Sequence, residues 1–319
     1  MDVVIPIADL QPIYSLAEID RALGDDSTTR NEGLKNWYGR MRGLGGSRYI
    51  VKPSSSAAVD ELAQSSPNFG EVIADLRKCL ALAIAGNEAV QFTPILLVGD
   101  PGLGKTYFAK KLANALSTGY EFVSMNSLTA GWVLTGASAQ WHNARPGKVA
   151  QTLVEGDYAN PVVVLDEVDK TGGDHRYDPM GALYALLERD TAMQFKDEFL
   201  DVAIDASHIL WVATANDESV LPEPILNRMN VYVIERPDAE GSRRIALSVY
   251  HEIVDAHRWP FPHEPAENVL DRVAEIPPRD MRKLLLDAFG TAQLAGRDHL
   301  VPEDIDANKL CGRKTRLGF

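Results

Sequence analysis

The stretch that decides the fold is ILLVGDPGLGKTYF, residues 95–108. Its first four residues are apolar, which is typical of a strand buried on both faces, and residues 105–116 have the apolar spacing of a helix. The glycine-rich loop between them, residues 99–106, fits the pattern G-x4-G-K-[ST] in the strand–loop–helix context that this pattern requires. The sequence therefore predicts a phosphate-binding loop at the end of a buried strand.

Each part of this loop has a chemical reason. Glycines let backbone N–H groups approach a phosphate closely, and the N-terminus of the following helix adds positive potential. Lys105 is expected to reach the β- and γ-phosphates of a bound nucleotide. The hydroxyl of Thr106 is expected to ligate Mg²⁺.

A second apolar run, VVVL at 162–165, ends in the two carboxylates Asp166 and Glu167. Both then lie at the C-terminal end of a buried strand, where open α/β sheets bind their ligands. Asp166 is expected to hold Mg²⁺ through its water shell, and Glu167 to orient or deprotonate the attacking water. Asp169 and Lys170 are predicted to form a local surface pair. The residues predicted to contact ATP and Mg²⁺ are Gly99, Asp100, Pro101, Gly102, Leu103, Gly104, Lys105, Thr106, Tyr107 and Asp166.

The composition excludes several classes of function. A formal charge of −13, from 32 Lys+Arg against 45 Asp+Glu, argues against direct binding to nucleic acid. Cys79 and Cys311 are far apart and have no metal-ligand spacing, so neither a disulfide framework nor a zinc site is predicted from the cysteines, and a reducing cytoplasm is expected. No apolar run is long enough for a transmembrane helix, and the N-terminus does not resemble a secretory signal.

Four regions are predicted along the chain. They are a short N-terminal element that is small or partly flexible (1–66), an α/β nucleotide-binding domain (67–237), a helical lid domain (238–310) and a basic tail (311–319). Short apolar runs in the second region favour a parallel sheet covered by helices. Helical patterns dominate the third, at 242–256, 266–274, 279–294 and 302–309. The predicted fold class is α/β, with a small all-helical domain following the sheet.

Six collinear stretches resemble the AAA+ superfamily, and within it the ATPase module of Lon-type ATP-dependent proteases. They are GDPGLGKT (99–106), RPGKVAQ (145–151), NPVVVLDEVDK (160–170), DPMGALYALLE (178–188) with FKDEFLDV (195–202), WVATAND (211–217) and LPEPILNRMNVYVI (221–234). The similarity covers roughly residues 95–237 and continues more weakly to about 295. It implies an ATPase that uses Mg²⁺, assembles into a homo-oligomeric ring of six subunits and acts on a protein partner.

The resemblance implies roles for further polar residues. Asn216 matches the sensor that positions the lytic water, with a strand-end Asn capping a turn as the alternative. Arg228 matches the arginine finger that reaches the ATP of a neighbouring subunit, with a surface salt bridge as the alternative. Arg279 resembles the second sensor, which couples the lid to the γ-phosphate, and Arg282 is the competing candidate for that role.

An aromatic residue ahead of the P-G-K stretch grips the substrate in Lon-type proteases, and here that position is Trp141 with His142 beside it. A Trp packed in the core or in a subunit interface is the alternative. The loop at 171–178 is expected to be a second pore loop.

The segment after the helical domain is too short for the Ser–Lys protease domain of Lon-type enzymes. No peptidase activity is therefore expected, and the initial methionine favours a naturally protease-free ATPase over a fragment. Two functions stay open. One is a motor that unfolds or disassembles a protein. The other is a nucleotide-gated scaffold or switch that recruits a partner, as AAA+ relatives do in defence, transposition or replication.

Overall fold

A computed structural model of the protein describes residues 7–25, 31–127, 131–141, 143–170 and 180–306. The chain divides into two compact units, called here the sheet unit and the helical unit. The sheet unit comprises Met1–Val59, Ala74–Gly99 and Thr106–Val233, and the helical unit comprises Asp60–Ile73, Asp100–Lys105 and Ile234–Phe319. His142, the predicted second pore loop (171–178) and the predicted basic tail (311–319) with Cys311 lie outside the described residues.

A five-stranded parallel sheet forms the centre of the sheet unit, in the order β4-β5-β8-β3-β9. Its strands are β3 (Ile95–Val98), β4 (Tyr120–Ser124), β5 (Val162–Asp166), β8 (Leu210–Ala215) and β9 (Asn230–Val233). Every residue of β3 and β8 is buried, as are the first four of β5. Strands buried on both faces explain why these segments are continuously apolar, and the predicted α/β class is confirmed.

Helices and short strands connect the sheet strands. The helices up to β9 are α1 (Leu16–Leu23), α2 (Glu32–Leu44), α3 (Ala57–Ser65), α4 (Gly70–Gly86), α5 (Lys105–Ala115), α6 (Trp132–Thr135), α7 (Lys148–Glu155), α8 (Gly181–Leu186), α9 (Arg189–Ala192) and α10 (Glu223–Leu226). The strands β6 (Phe195–Lys196) and β7 (Ala203–Ile204) pair antiparallel with each other. The helix predicted at 105–116 is thus confirmed to within one residue.

The N-terminal residues share the core of the sheet unit. The strands β1 (Ile7–Pro12) and β2 (Ser47–Lys52) pair antiparallel, with α1 and α2 between them in the chain. Helix α2, which the sequence analysis did not predict, begins at the N-cap Asn31, whose side chain accepts from the Leu34 amide at 3.1 Å. Its buried residues Leu34, Tyr38 and Met41 belong to the same apolar cluster as β5 and β8.

Three helices form the core of the helical unit. They are α11 (Ala239–Ala256), α12 (Glu267–Ala274) and α13 (Pro278–Leu294). The side chain of Asp238 caps α11 by accepting from the Gly241 amide at 2.7 Å. The helix predicted at 302–309 is a single 3₁₀ turn, Pro302–Asp304, in its described part, because the Asp304 carboxylate turns back to Arg297 and to the Val301 amide. Among the described residues, no helix has the length and apolarity that crossing a membrane requires.

Candidate active site

The first side-chain cluster of the site lies at the carboxyl ends of the neighbouring strands β5 and β8. The Thr106 hydroxyl, from the first turn of α5, donates to Oδ1 of Asp166 at 2.5 Å. The Thr214 hydroxyl, near the end of β8, donates to the same oxygen at 2.8 Å. The parallel register of the two strands brings these groups together, since both strands end at one edge of the sheet.

Thr214 also fixes the backbone of the next acidic residue. Its side-chain oxygen accepts from the Glu167 amide at 3.0 Å, and the residue is 2% exposed. Glu167 has a φ of 57°, in the left-handed region that costs a residue with a Cβ about 1–2 kcal/mol. Strain of this kind is held by the surrounding structure at functional sites, and here the Thr214 hydroxyl takes part in holding it.

Two donors occupy the carboxylate of Glu167. The side-chain amide of Asn126, just beyond β4, donates to Oε2, and the Lys170 ammonium binds Oε1. Ser124 in turn donates its hydroxyl to the Asn126 carbonyl oxygen at 2.8 Å, which fixes the orientation of the amide. The hydrogen bond to Glu167 raises the pKa of the Lys170 ammonium.

The predicted surface pair of Asp169 and Lys170 is therefore wrong. Lys170 bonds to Glu167, three residues back in a 3₁₀ turn (Val168–Lys170) that brings the two side chains to one side. The Asp169 carboxylate instead accepts from the backbone amides of Asn216 at 3.0 Å and Asp217 at 3.3 Å. Asp169 thus ties the end of β8 to the turn after β5.

The glycine-rich loop takes the backbone conformation that its pattern predicts. Gly102 and Gly104 have φ values of 89° and 87°, and a Cβ placed on Gly104 would have no neighbouring atom within 4 Å. The second half of the loop therefore has open space beside its backbone at Gly104. Lys105 is largely buried, and its ammonium donates to the Asp100 carbonyl at 3.0 Å.

Residues of the helical unit hold the first half of the loop. The Asp100 carboxylate pairs with Arg236, with Nη2 at 3.0 Å. A Cβ on Gly102 would lie 3.3 Å from the Cβ of Arg279, so the stem of Arg279 lies against the loop. Arg282, the competing candidate, has a distant ion pair with Glu252 at 4.0 Å.

The donor set fits a magnesium nucleotide. Mg²⁺ prefers hard oxygen ligands such as the hydroxyl of Thr106 and the carboxylate of Asp166, which already lie within hydrogen-bond distance of each other. A glycine-rich loop that opens a helix supplies the backbone N–H groups that phosphate requires. Tyr107, the last residue predicted to contact ATP, is 44% exposed and has the Lys111 ammonium 4.9 Å from its ring centroid.

Comparison with known proteins identifies this arrangement. Residues 95–236 match the family model described as "ATPase family associated with various cellular activities (AAA)". These residues are an AAA domain. The matched segment includes the loop, Asp166, Glu167, Asn216 and Arg228.

The curated relatives of the AAA domain include Lon proteases. Lon protease 1 of Thermus thermophilus is 31% identical over 227 residues, which are 67% of this chain and 28% of that protein. A mitochondrial Lon protease homologue of Emericella nidulans is 30% identical over 236 residues, 74% of this chain and 21% of that protein. The chain thus spans about a quarter of the length of these relatives, and the resemblance to the Lon ATPase module is confirmed.

A solved structure shows the same fold. A point mutant of RuvB from Thermotoga maritima superimposes with a TM-score of 0.54, covering 80% of this chain and 71% of that chain. The sequences are 18% identical, so this likeness concerns the fold alone. The superimposed part of this chain is larger than the AAA domain.

Arg228 follows α10 in the AAA domain and contacts three groups of its own chain. Its Nη1 donates to the Pro224 carbonyl at 2.7 Å, its Nε lies 3.1 Å from Glu188 Oε1, and its guanidinium lies 5.8 Å from the Tyr184 ring centroid. The side chain is only partly exposed. The surface salt bridge foreseen as the alternative is therefore present within one chain, and a role towards another subunit stays a prediction.

The predicted pore residue Trp141 lies in a short loop between α6 and α7. Trp141 is 51% exposed, and its ring packs edge-on against Trp132 at a centroid distance of 5.4 Å. The backbone closes the loop through an Ala137 amide that donates to the Arg145 carbonyl at 3.2 Å. Trp141 therefore presents half of its surface on a loop with a fixed base.

A buried carboxylate holds the end of that loop, and the sequence analysis did not single it out. Asp197 accepts from the amides of Gly147 at 2.7 Å, Phe199 at 2.9 Å and Leu200 at 3.1 Å. Burial raises the pKa of the Asp197 carboxyl to about 6. A Cβ on Gly136 would lie 2.4 Å from Asp197 Oδ1, so the carboxylate fills the space between the two ends of the loop.

Three further residues of the site were missed: Asn126, Thr214 and Lys170. Asn126 and Thr214 carried a usable signal, because each is a polar residue at or just after the end of an apolar strand, where parallel sheets place ligands. No sequence pattern marks Lys170 as a partner of Glu167, since this pairing depends on the 3₁₀ turn.

Proposed function

We propose that the AAA domain binds ATP with Mg²⁺ and hydrolyses the phosphoanhydride bond between the β- and γ-phosphates. The observation that carries this proposal is the convergence of the Thr106 and Thr214 hydroxyls on one oxygen of Asp166, directly beside Glu167. In this proposal Thr106 and Asp166 hold Mg²⁺, which supplies charge neutralisation to the phosphates. Lys105 and the backbone of residues 99–106 bind the phosphate oxygens.

Glu167 is the proposed general base. It takes a proton from the attacking water, and Asn216, at the end of the adjacent strand, orients that water. Asn126 and Lys170 each donate to one oxygen of the Glu167 carboxylate and leave a second lone pair on each oxygen, but both bonds favour the charged form and weaken when Glu167 accepts a proton. The base is therefore restrained in this structure.

The proposed site is completed by assembly into a homo-oligomeric ring. The resemblance to Lon-type ATPases implies six subunits in this ring. Arg228 would exchange its contact with Glu188 for the γ-phosphate in the adjacent subunit, which suits a planar and permanently charged donor. Arg279, whose stem lies against Gly102, would report the position of the helical unit to the nucleotide of its own subunit.

The proposed work of the ring is to remodel, unfold or disassemble a protein partner, with Trp141 as the gripping residue. Half of the Trp141 surface is exposed on a loop anchored at both ends, which is what transmitting a pull requires. The proposed chemistry of residues 1–319 is ATP hydrolysis, and peptide hydrolysis is not proposed for them.

The experiment compares ATP hydrolysis and substrate remodelling in Trp141→Ala and in Trp259→Ala, a control that removes a partly exposed Trp of the helical unit. With casein as an unfolded probe, the wild type and the control should show stimulated ATPase activity. Trp141→Ala should keep basal hydrolysis and lose the stimulation. Equal stimulation of all three proteins would exclude threading by Trp141.

The scaffold alternative gives a different outcome for the hydrolysis-deficient variant Glu167→Gln. A motor loses all remodelling in this variant, whereas a nucleotide-gated scaffold keeps its partner bound and functional. Capture of partners on Glu167→Gln with ATP, followed by a functional assay of the captured complex, separates the two.

A further inference from the structure

Three metal-ligating side chains and a neighbouring carboxylate meet in the helical unit, in a place that the proposed ATPase mechanism does not use. His251 and Asp255 lie one turn apart on α11, and His263 and Glu264 are adjacent in the loop between α11 and α12. One ligand atom each from His251, His263 and Glu264 lie within 4.8 Å of one another. Glu264 Oε1 lies 3.6 Å from Nδ1 of His263, whereas Asp255 Oδ1 lies 3.4 Å from Nε2, the other nitrogen of that ring.

Contacts on the other side of the loop hold it in position. The Tyr250 hydroxyl, on α11, donates to the Pro262 carbonyl at 2.8 Å. Phe261 is buried, with its ring centroid 4.8 Å from that of Phe289 on α13. The two residues immediately before His263 are therefore fixed by contacts that involve none of the three ligands, so the loop side of the site is preorganised.

One of the ligand atoms lacks a partner. Nε2 of His251 is buried from solvent and makes no hydrogen bond within the described part of the chain, although Glu264 Oε1 lies 3.7 Å away. A buried polar nitrogen without a partner costs about 1–3 kcal/mol, so such atoms call for an explanation. A cation between His251 and Glu264 would give Nε2 of His251 a partner.

The charges favour a divalent ion. With both imidazoles neutral, the cluster carries the two negative charges of Asp255 and Glu264, which a divalent cation balances. Imidazole nitrogen selects Zn²⁺, Co²⁺ or Ni²⁺ over Mg²⁺ and Ca²⁺. We propose that His251, His263 and Glu264 form a binding site for a divalent transition metal of the zinc class, with Asp255 holding the outer nitrogen of His263.

Binding requires a small rearrangement. Tetrahedral zinc with bonds of about 2.0–2.1 Å places its ligand atoms about 3.4 Å apart. Glu264 Oε1 already lies 3.7 Å from His251 Nε2 and 3.6 Å from His263 Nδ1, so the two imidazole nitrogens have to make most of the adjustment. The two imidazole rings stack at 4.2 Å with 21° between their planes, so one ring must rotate for both nitrogens to point at one ion. The bound ion would fasten the loop between α11 and α12 to α11.

The experiment titrates ZnCl₂ into the full-length protein without Mg²⁺ and nucleotide, using isothermal titration calorimetry. His251→Ala and His263→Gln each remove one ligand, and His299→Ala is the matched control, since His299 is an exposed histidine 3.0 Å from Asp298. Circular dichroism checks that each variant is folded, and the glutamine keeps much of the histidine's size.

One equivalent of Zn²⁺ should bind to the wild type and to His299→Ala, and its affinity should fall by about 100-fold or more in both ligand variants. Co²⁺ in its place should give the visible absorption of a four-coordinate site, which the ligand variants lose. Zinc bound at Thr106 and Asp166 instead would survive both ligand substitutions. Equal zinc binding by all four proteins, or none by the wild type, would overturn the proposal.

Discussion

The side-chain amide of Asn126 holds Oε2 of Glu167, while the ammonium of Lys170 holds Oε1. These two bonds come from different segments, one following β4 and the other following β5. Glu167 is therefore restrained from both sides, although its own backbone is in a strained conformation. The proposed base is held in position by two bonds that favour its charged form.

Removing the Asn126 bond should raise basal ATP hydrolysis. A hydrogen bond to a charged group contributes about 1.5 kcal/mol, so Asn126→Ala should increase kcat by up to about 10-fold if release of Glu167 limits turnover. Phosphate release at saturating ATP measures this. Glu167→Gln is the opposite control, since loss of a general base costs about 10²–10⁴-fold. A fall of Asn126→Ala to the level of Glu167→Gln would show that Asn126 positions the base productively.

Substitution of Thr214 should lower the rate of ATP hydrolysis, although Thr214 lies outside the glycine-rich loop. Thr214→Val keeps the shape of the side chain but loses the bonds to Asp166 and to the Glu167 amide. A bond to a charged group is worth about 1.5–3 kcal/mol, so kcat should fall by about 10–100-fold. Thr214→Ser keeps the hydroxyl and should keep most of the activity. If valine and serine behave alike, the hydroxyl is not what the site uses.

The sequence predicts the sheet and the loop well because both depend on local patterns. Four apolar residues before Gly99 and four before Asp166, each followed by a polar turn, favour short buried strands, and the helical patterns between the strands favour a parallel order. The loop glycines predict their own φ values. What these patterns predict is the position of the backbone at the site.

The missed contacts depend on distances that no local pattern contains. Thr214 is separated from Asp166 by 48 residues, and Asn126 from Glu167 by 41. Helix α2 was missed for another reason: three glycines in Glu32–Leu44 weaken its helical propensity, and packing of Leu34, Tyr38 and Met41 against the core compensates for this.

Mixing two inactive variants should test whether Arg228 acts on a neighbouring subunit. Arg228→Ala and Glu167→Gln should each abolish turnover as a pure protein. In a mixed ring, some interfaces combine a native Glu167 with a native Arg228 from the adjacent subunit, so activity should return. ATPase activity against mixing ratio measures this. If activity stays at zero at every ratio while light scattering shows mixed oligomers, the salt bridge with Glu188 is the whole role of Arg228.

Asp197 should make the protein more stable as pH falls, whereas most carboxylates make a protein less stable on acidification. Burial raises the Asp197 pKa from 3.8 to about 6, so between these values the folded protein holds a proton that the unfolded chain has lost. The stabilisation is present at low pH and lost as pH rises through about 6, and two pH units correspond to about 3 kcal/mol.

Urea unfolding of the wild type and of Asp197→Asn across this window measures the effect. The free energy of unfolding of the wild type, relative to the variant, should increase as pH falls, because asparagine does not titrate. Asp217→Asn is the control of opposite sign: hydrogen bonds from Ser219 lower the Asp217 pKa, so the advantage of the wild type over this variant should shrink on acidification. The difference in free energy of unfolding between the wild type and Asp197→Asn could instead stay constant or fall towards low pH. That result would mean that the three backbone amides, and not burial, set the charge of Asp197.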